Sequence, residues 1–376
     1  MINSHEQFLF GATLTVDCQA LRQNWLHLKS KSGSAECAAV VKANGYGLGL
    51  ELVVPELWSA GCRTFFVAIP IEAQTVRQLA PQATVYLLGG LYQGAEAWLH
   101  NFAIRPVLGS VEELKSWSAY CQSQSCKLPA AIHFDTGMNR LGLLPEDTEI
   151  IEPLLKDFNC TLVMSHLACA DEPKPDFNQN QLKKFDRIAN FYPNCNASLA
   201  NSAGVFLGTD YHFQMTRPGI AIYGGTALPG PTPLAPVVHL SSRVIQIRTA
   251  ASGETVGYGG RQMVQRDTRL AIIATGYADG YLRAGGCEND KAGALAYCAG
   301  HYIPVCGRIS MDLIALDVTD VPDDKIERGT LIELLGAHIK IDDLATRCGT
   351  IGYEILTNLG GRYNRNAINH SPNSQV

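Results

Sequence analysis

Lys42 stands at the end of an apolar run, in Val40-Val41-Lys42-Ala43-Asn44-Gly45-Tyr46-Gly47. A lysine that loses water on burial holds its proton less tightly. Its amine then serves as a nucleophile suited to Schiff-base chemistry. Taken alone, Lys42 is more simply a surface lysine. The glycines flanking Tyr46 shift that balance, because they let the backbone come close to a ligand. Arg140, in Asp135-Thr136-Gly137-Met138-Asn139-Arg140, offers a guanidinium fork for a carboxylate. His166 lies in Ser165-His166-Leu167, Ser202 in Asn201-Ser202-Ala203-Gly204, and Arg217 in Arg217-Pro218-Gly219-Ile220. Each of these, singly, fits a packing role. Further on, Tyr258 sits between glycines in Val256-Gly257-Tyr258-Gly259-Gly260. It is a turn tyrosine if isolated. It is a general acid or base if a nearby cation lowers its pKa from about 10. Two more polar motifs, Gly276-Tyr277-Ala278-Asp279-Gly280 and Arg308-Ile309-Ser310-Met311-Asp312, follow it.

The elements that carry these residues alternate between apolar runs and helical patterns. Ala38–Val41 reads as a strand and Leu48–Ser59 as a helix, then Thr64–Ile69 and Ile71–Leu79, then Thr84–Leu88 and a helix around Ala95–His100. Ile104–Leu108 is the next strand. Ser110 caps the helix after it, with Glu113 as capping-box partner. Ala130–Phe134, Thr161–Met164, Asn196–Leu199 and Gln214–Arg217 complete eight strands. Eight parallel strands with crossovers predict an α/β fold, an N-terminal (β/α)8 TIM barrel over residues 13–235. An open doubly wound sheet would carry a Gly-rich dinucleotide turn, and none follows the first strand. All the candidate residues up to Ile220 then fall at C-terminal strand ends, so the barrel brings them to one mouth. Ser202 and the Gly219–Ile220 backbone follow strands seven and eight, the usual barrel phosphate position. A phosphate site, a Schiff-base lysine and an arginine for a carboxylate together describe pyridoxal 5'-phosphate plus an amino acid.

Beyond Ala227 the pattern changes. Leu228–Pro233 is a Pro-rich linker. Val237–Arg248, Leu270–Thr275, His301–Val305, Leu313–Val318 and Thr330–Leu334 are β-like, giving a mostly-β second domain over 236–376. Phe8–Val16 alternates like a strand that would pair with this domain, so about 1–12 is assigned to it as well. The tail from Asn366 to Val376 is polar and expected to be disordered.

Composition narrows the function classes. The 376-residue chain is 46% hydrophobic and 17% charged, enough for a sizeable core. A formal net charge of −5 lacks the basic footprint of a nucleic-acid binder. No apolar run is long enough for a membrane span, and Met1–Gln7 has no secretory pattern. Twelve cysteines without a C-x-x-C pair read as reduced thiols rather than a disulfide framework or zinc site, which suggests a cytoplasmic protein.

Seven ordered motifs spanning about Thr15 to Arg365 are similar to those of pyridoxal-phosphate alanine racemases. They are Val-Val-Lys-Ala-Asn-Gly-Tyr-Gly, Asp-Thr-Gly-Met-Asn-Arg-Leu-Gly, Asn-Ser-Ala-Gly, Arg-Pro-Gly-Ile-Ala-Ile-Tyr-Gly, Val-Gly-Tyr-Gly, Gly-Tyr-Ala-Asp-Gly and Gly-Arg-Ile-Ser-Met-Asp. The resemblance implies that Lys42 is both the Schiff-base lysine and one of two catalytic bases. Tyr258 would be the other base, brought by the second domain of the partner in a head-to-tail homodimer. Tyr46, Ser202, Gly219, Ile220 and Tyr353 would hold the phosphate. Arg217 would face the pyridine nitrogen, with His166 beside it. Arg140 and the Met311 N–H would position the substrate carboxylate. Tyr277, Arg283, Arg308 and Asp312 would line the entrance. No metal is implied.

One position departs from many relatives, which carry a carbamylated lysine seven residues before the equivalent of Arg140. Here that residue is His133. A neutral imidazole cannot supply the carbamate's charge, so a bound anion such as chloride, or a polar neighbour, is expected in its place. The expected activity is interconversion of L- and D-alanine, supplying D-alanine for peptidoglycan, with Tyr353 narrowing the pocket. A serine or broad-spectrum racemase is the enzymatic alternative. An arginine rather than a carboxylate at position 217 argues against a decarboxylase. A non-catalytic pyridoxal-phosphate carrier would need only the barrel, and the second domain speaks against it.

Overall fold

The structure is a computed structural model, and it describes residues 8–172, 174–227 and 233–369. Met1–Gln7 and most of the Pro-rich linker lie outside the described residues.

The barrel strands are short and apolar. Thr64–Val67 is buried at every position, as expected where a parallel sheet is covered on both faces. Seven strands run in sequence order, all parallel: Ala39–Val40, Thr64–Val67, Thr84–Leu87, Arg105–Leu108, Pro129–His133, Asn159–Met164 and Asn196–Ser198. The eighth, Met215–Thr216, closes the ring. It pairs parallel with Glu36–Cys37, which continues directly into the first strand. Glu36 N–H donates to Gln214 O at 2.9 Å and Ala38 N–H to Thr216 O at 3.0 Å. On its other side Gln214 N–H donates to Ala197 O at 3.1 Å, and Arg217 N–H to Ala200 O at 2.9 Å. No edge of this sheet is left unpaired, which is how a barrel removes its edge problem.

The crossover helices are set by local chemistry. Ser110 Oγ accepts from Glu113 N–H at 3.2 Å while Glu113 Oε2 accepts from Ser110 N–H at 3.1 Å, the expected capping box. After the eighth strand there is only the short 3-10 turn Ile220–Tyr223. The space it leaves is filled by the helix Cys18–Ser32, from before the first strand. Asn24 on that helix fastens the two parts, donating to Ala235 O and accepting from Ala235 N–H, both at 2.9 Å.

The second sheet is organised on the long strand Val238–Ala250. Antiparallel to it lie Ala12–Asp17, Thr268–Ile273 and Leu331–Leu335, so the alternating N-terminal segment does pair with this sheet. Ile314–Asp317, Leu295–Cys298 and His301–Pro304 extend it. The tail needs a correction. Asn364–Ile368 forms a parallel strand beside Ala12–Asp17, so residues 366–368 are ordered. A polar sequence was enough, because this strand satisfies the backbone groups along the free side of Ala12–Asp17. The domain also contains two helices, Ile341–Cys348 and Gly352–Asn358, which the strand-like reading did not include. The second of them reaches the barrel mouth.

Candidate active site

The loop after the first strand is unusual backbone. Ala43, Asn44, Gly45 and Tyr46 all have φ between +53° and +64°, a left-handed turn that costs energy at each non-glycine. Several bonds hold it. Asn44 N–H donates to Glu72 Oε1 at 3.0 Å, and Asn44 Oδ1 accepts from Leu50 N–H at 3.0 Å. Arg365, from the far end of the chain, donates to Gly47 O at 2.9 Å. Glu72 also caps its own helix through Ala68 N–H and Ile69 N–H. The turn aims Lys42 and Tyr46 differently from any helix or strand.

Lys42 is half-buried. Burial lowers its pKa, Arg140 lowers it further, and Glu72 opposes both. The barrel mouth therefore does bring Lys42 and Arg140 together. Arg217 is buried, and it donates to Ser198 Oγ through one Nη and to Ser165 O, at 2.5 Å, through the other. Burial pushes its pKa down to about 9, which still leaves it charged at neutral pH. His166 is held well below its ordinary value by burial, then by Arg217, Arg140, His133 and Lys42. His133 is pushed down to about 4 by burial and by Arg217, and Arg140 adds to this while Asp135 opposes it. Both histidines are thus neutral at pH 7. Arg140 and Arg217, with Lys42 beside them, form a cationic cluster suited to an anionic ligand.

Beside this cluster is a cradle. Tyr46 is buried and stacked on Tyr223, with ring centroids 4.4 Å apart, and Tyr353 approaches at 6.0 Å. A Cβ at Gly219 would lie 2.2 Å from Tyr46 Oη, so glycine is required there for the hydroxyl to occupy its place. Ser202 Oγ accepts from Gly219 N–H at 2.8 Å and Ala221 N–H at 3.3 Å. Tyr46, Ser202, Gly219 and Ile220 thus gather at one spot, and Tyr353 joins them from the second domain's helix Gly352–Asn358. Burial, with Asp171 and Asp342, pushes the Tyr353 pKa up to about 12.

Tyr258 is placed elsewhere. It is 71% exposed and borders a concavity of about 860 Å³ lined wholly by second-domain residues. Gly257 and Gly259 have φ of +79° and +76°, and both pack within 3.2 Å of Arg308, counted from a built Cβ. Arg308 pairs with Glu288. Gly286 packs against Arg308, and its N–H donates to Arg283 O. Tyr277 N–H and Ala278 N–H donate to the Ser310 and Met311 carbonyls, and Arg362 joins Asp312 to Asp279. The Met311 N–H has no partner among the described residues, which leaves it free as a donor. Tyr258, Tyr277, Arg283, Arg308, Met311 and Asp312 therefore form a second group, and among the described residues no hydrogen bond or ion pair joins any of them to Lys42, Arg140 or Arg217.

Several supporting residues escaped the sequence reading. Gln181 is 1% exposed, and it donates to Thr136 Oγ1 (3.1 Å) and His166 O (3.0 Å) while accepting from Ala168 N–H (2.9 Å). Thr136 in turn meets Ser165 Oγ at 2.8 Å, and Ser165 O holds Arg217. Asp135 accepts from the N–H groups of Gly137, Met138 and Asn139, fixing the turn before Arg140. Asp135 was visible as an Asx-type turn former. Nothing in the helical pattern marks Gln181. No cluster of three or more metal-ligating side chains exists among the described residues, and no helix there is long and apolar enough to cross a membrane.

A closed barrel with a lysine and an anion cradle at its mouth, joined to a β domain, defines a two-domain barrel enzyme for a phosphorylated ligand. Residues 16–227 match the alanine racemase N-terminal domain, and residues 237–367 match the alanine racemase C-terminal domain. The chain belongs to the alanine racemase family. It is 46% identical to a biosynthetic alanine racemase of Agrobacterium fabrum, over 94% of this chain and 92% of that protein. It is 45% identical to a catabolic one from the same organism, over 97% and 95%. Its fold superimposes with a TM-score of 0.90 on alanine racemase from Bartonella henselae with covalently bound pyridoxal phosphate (39% identity; 95% and 99% covered).

Proposed function

We propose that this protein racemises alanine with pyridoxal 5'-phosphate, and that it supplies D-alanine for peptidoglycan. The observation that carries the reading is the pairing of a lowered-pKa Lys42 with the Tyr46–Ser202–Gly219 cradle at one barrel mouth. The residues present fit the cofactor. Gly219 lets the Tyr46 hydroxyl stand beside its backbone N–H and Ser202 Oγ, Lys42 is an amine of lowered pKa, and Arg140 and Arg217 supply the charge an anionic group requires. Bound there, the cofactor supplies the electron sink that acidifies the α-proton of the amino acid joined to it.

The chain's own groups do the rest. Tyr46, Ser202, Gly219, Ile220 and Tyr353 hold the phosphate. Arg217 keeps its proton at neutral pH, so its guanidinium would face the ring nitrogen as a hydrogen-bond donor and give it no proton. His166 stays neutral beside it. Arg140 and the Met311 N–H position the substrate carboxylate. Inversion needs a base on one face of Cα and an acid on the other. Lys42 Nζ takes or gives the proton on one face and Tyr258 Oη on the other, and they exchange roles with direction. Tyr258 reaches Lys42 from a second copy of the chain, so the working form is a homodimer with two shared sites in the cytoplasm. Support for this comes from the lack of any hydrogen bond or ion pair between the two residue groups among the described residues, and from the exposed concavity at Tyr258. Tyr277, Arg283, Arg308 and Asp312 line the entrance. An anion such as chloride, or a polar neighbour, takes the place of the carbamate near neutral His133. The chain divides near residue 235 into a cofactor domain and a β domain.

The test is proton NMR of L-alanine with the holoenzyme in D2O, followed by chiral analysis. Loss of the α-proton signal with appearance of D-alanine is expected. Parallel runs on serine should be much slower. Tyr258→Phe should retain cofactor and lose racemisation. A bound cofactor with no α-proton exchange on any small amino acid would overturn the reading.

A further inference from the structure

At the opposite end of the barrel from Lys42 lies a polar cavity of about 330 Å³. Its lining includes Thr64, Thr84, Arg105, Asn159 and Asn196, each the first residue of a barrel strand. It also includes Cys160, on the strand Asn159–Met164. Cys195 immediately precedes the neighbouring parallel strand Asn196–Ser198, whose Asn196 pairs with Leu162. The Cys195 S–H donates to Cys160 O at 3.1 Å, and the Cys160 S–H donates to Leu162 O at 3.8 Å. Both thiols are free and half-buried, whereas Cys18, Cys37, Cys62, Cys121, Cys306 and Cys348 are enclosed. The register sets Cys195 across from Thr161, one residue from Cys160, and the 3.1 Å bond from its S–H brings the Cys195 sulfur against Cys160 itself.

We infer that Cys160 and Cys195 form a reversible disulfide in the barrel floor, a redox modification site apart from the racemase site. The neighbouring Cys160 thiol holds Cys195 below its ordinary value, and Cys195, with burial, raises Cys160. Cys195 is therefore the attacking sulfur. Its thiolate attacks one sulfur of a low-molecular-weight disulfide such as oxidised glutathione, which breaks that S–S bond and releases one glutathione thiolate. Cys160 then gives up its proton and attacks the Cys195 sulfur of the mixed disulfide, expelling the second glutathione thiolate. Two protein thiols are oxidised and one glutathione disulfide is reduced. In a reducing compartment such a bond is transient and senses the thiol poise.

The test is to equilibrate the holoenzyme with oxidised and reduced glutathione at graded ratios, block free thiols, and map peptides by mass spectrometry. A Cys160–Cys195 crosslink is expected, with a mass loss of two hydrogens, reversed by reductant. Cys160→Ser should trap one glutathione on Cys195, and Cys195→Ser should leave Cys160 unmodified. Both variants should racemise as the parent does, because neither residue belongs to the mouth. Three results would each overturn the inference: both thiols remaining alkylatable at every ratio, a crosslink to another cysteine, or a Cys195 adduct that persists in the parent chain.

Discussion

Replacing Gly219 by alanine tests the cradle directly. The added Cβ would stand 2.2 Å from Tyr46 Oη and 3.0 Å from its Cζ, where ordinary contact begins at 3.4 Å. The hydroxyl must therefore retreat by 3.4 − 2.2 = 1.2 Å, and the ring carbon by 3.4 − 3.0 = 0.4 Å. Tyr223 stacks at 4.4 Å and closes one face of the ring, so the ring yields edgewise and carries its hydroxyl away from the Gly219 backbone. Overpacking of this kind costs about 1–3 kcal/mol. If cofactor binding requires the original ring position, its Kd rises by about 5- to 150-fold. The assay is titration of the apo form with pyridoxal phosphate, read by cofactor absorbance, with thermal unfolding as a fold check. Tyr46→Phe supplies the control. It removes the atom at 2.2 Å and leaves only the 0.4 Å conflict, so Gly219→Ala should cost less in that background. A coupling of about 1 kcal/mol or more is expected. An additive cycle, or a Gly219→Ala protein that binds cofactor as the parent does, would refute the reasoning.

Other predictions rest on the same geometry. His133 titrates near about 4 when folded instead of its usual 6.5, so between those values the unfolded chain binds more proton and stability falls as pH drops. At about pH 4.5 this residue alone should cost about 2.5 kcal/mol, and His133→Asn should lose that much less stability than the parent between about pH 7 and pH 4.5. Equal losses in urea titrations would remove the argument. Gln181→Glu keeps the acceptor for Ala168 N–H but loses the donor to His166 O, so it should destabilise the protein by about 1–3 kcal/mol. It should also raise KM for alanine, and an unchanged denaturation midpoint would count against the network. Tyr353→Ala should raise serine turnover relative to alanine by about 10- to 200-fold. A variant that gains nothing on serine would sink Tyr353 as the pocket wall.

Much of this protein was determined along the chain. Short β-rich runs alternating with helical spacings specify a barrel, because parallel strands need crossovers and eight of them can close. Ser110 and Glu113 announce their helix because a capping box is a local bond pattern. Lys42, Arg140, His166, Ser202 and Arg217 are legible because each follows a strand, and strand ends share one mouth. Other features depended on groups distant in sequence. Residues 366–368 became a strand because Ala12–Asp17 offered backbone partners. Gln181 became a hub because its helix laid it against two strand-end loops. Arg365 supports the Lys42 turn from the far end of the chain. Gly219 had to be glycine because of a tyrosine hydroxyl carried by another loop. The distribution of charge was likewise tertiary: burial and mutual repulsion, not residue type, keep His133 and His166 neutral beside two guanidiniums. Sequence specifies local backbone preference and which side chains are present. Only packing decides which of them lose water, and that loss sets their chemistry.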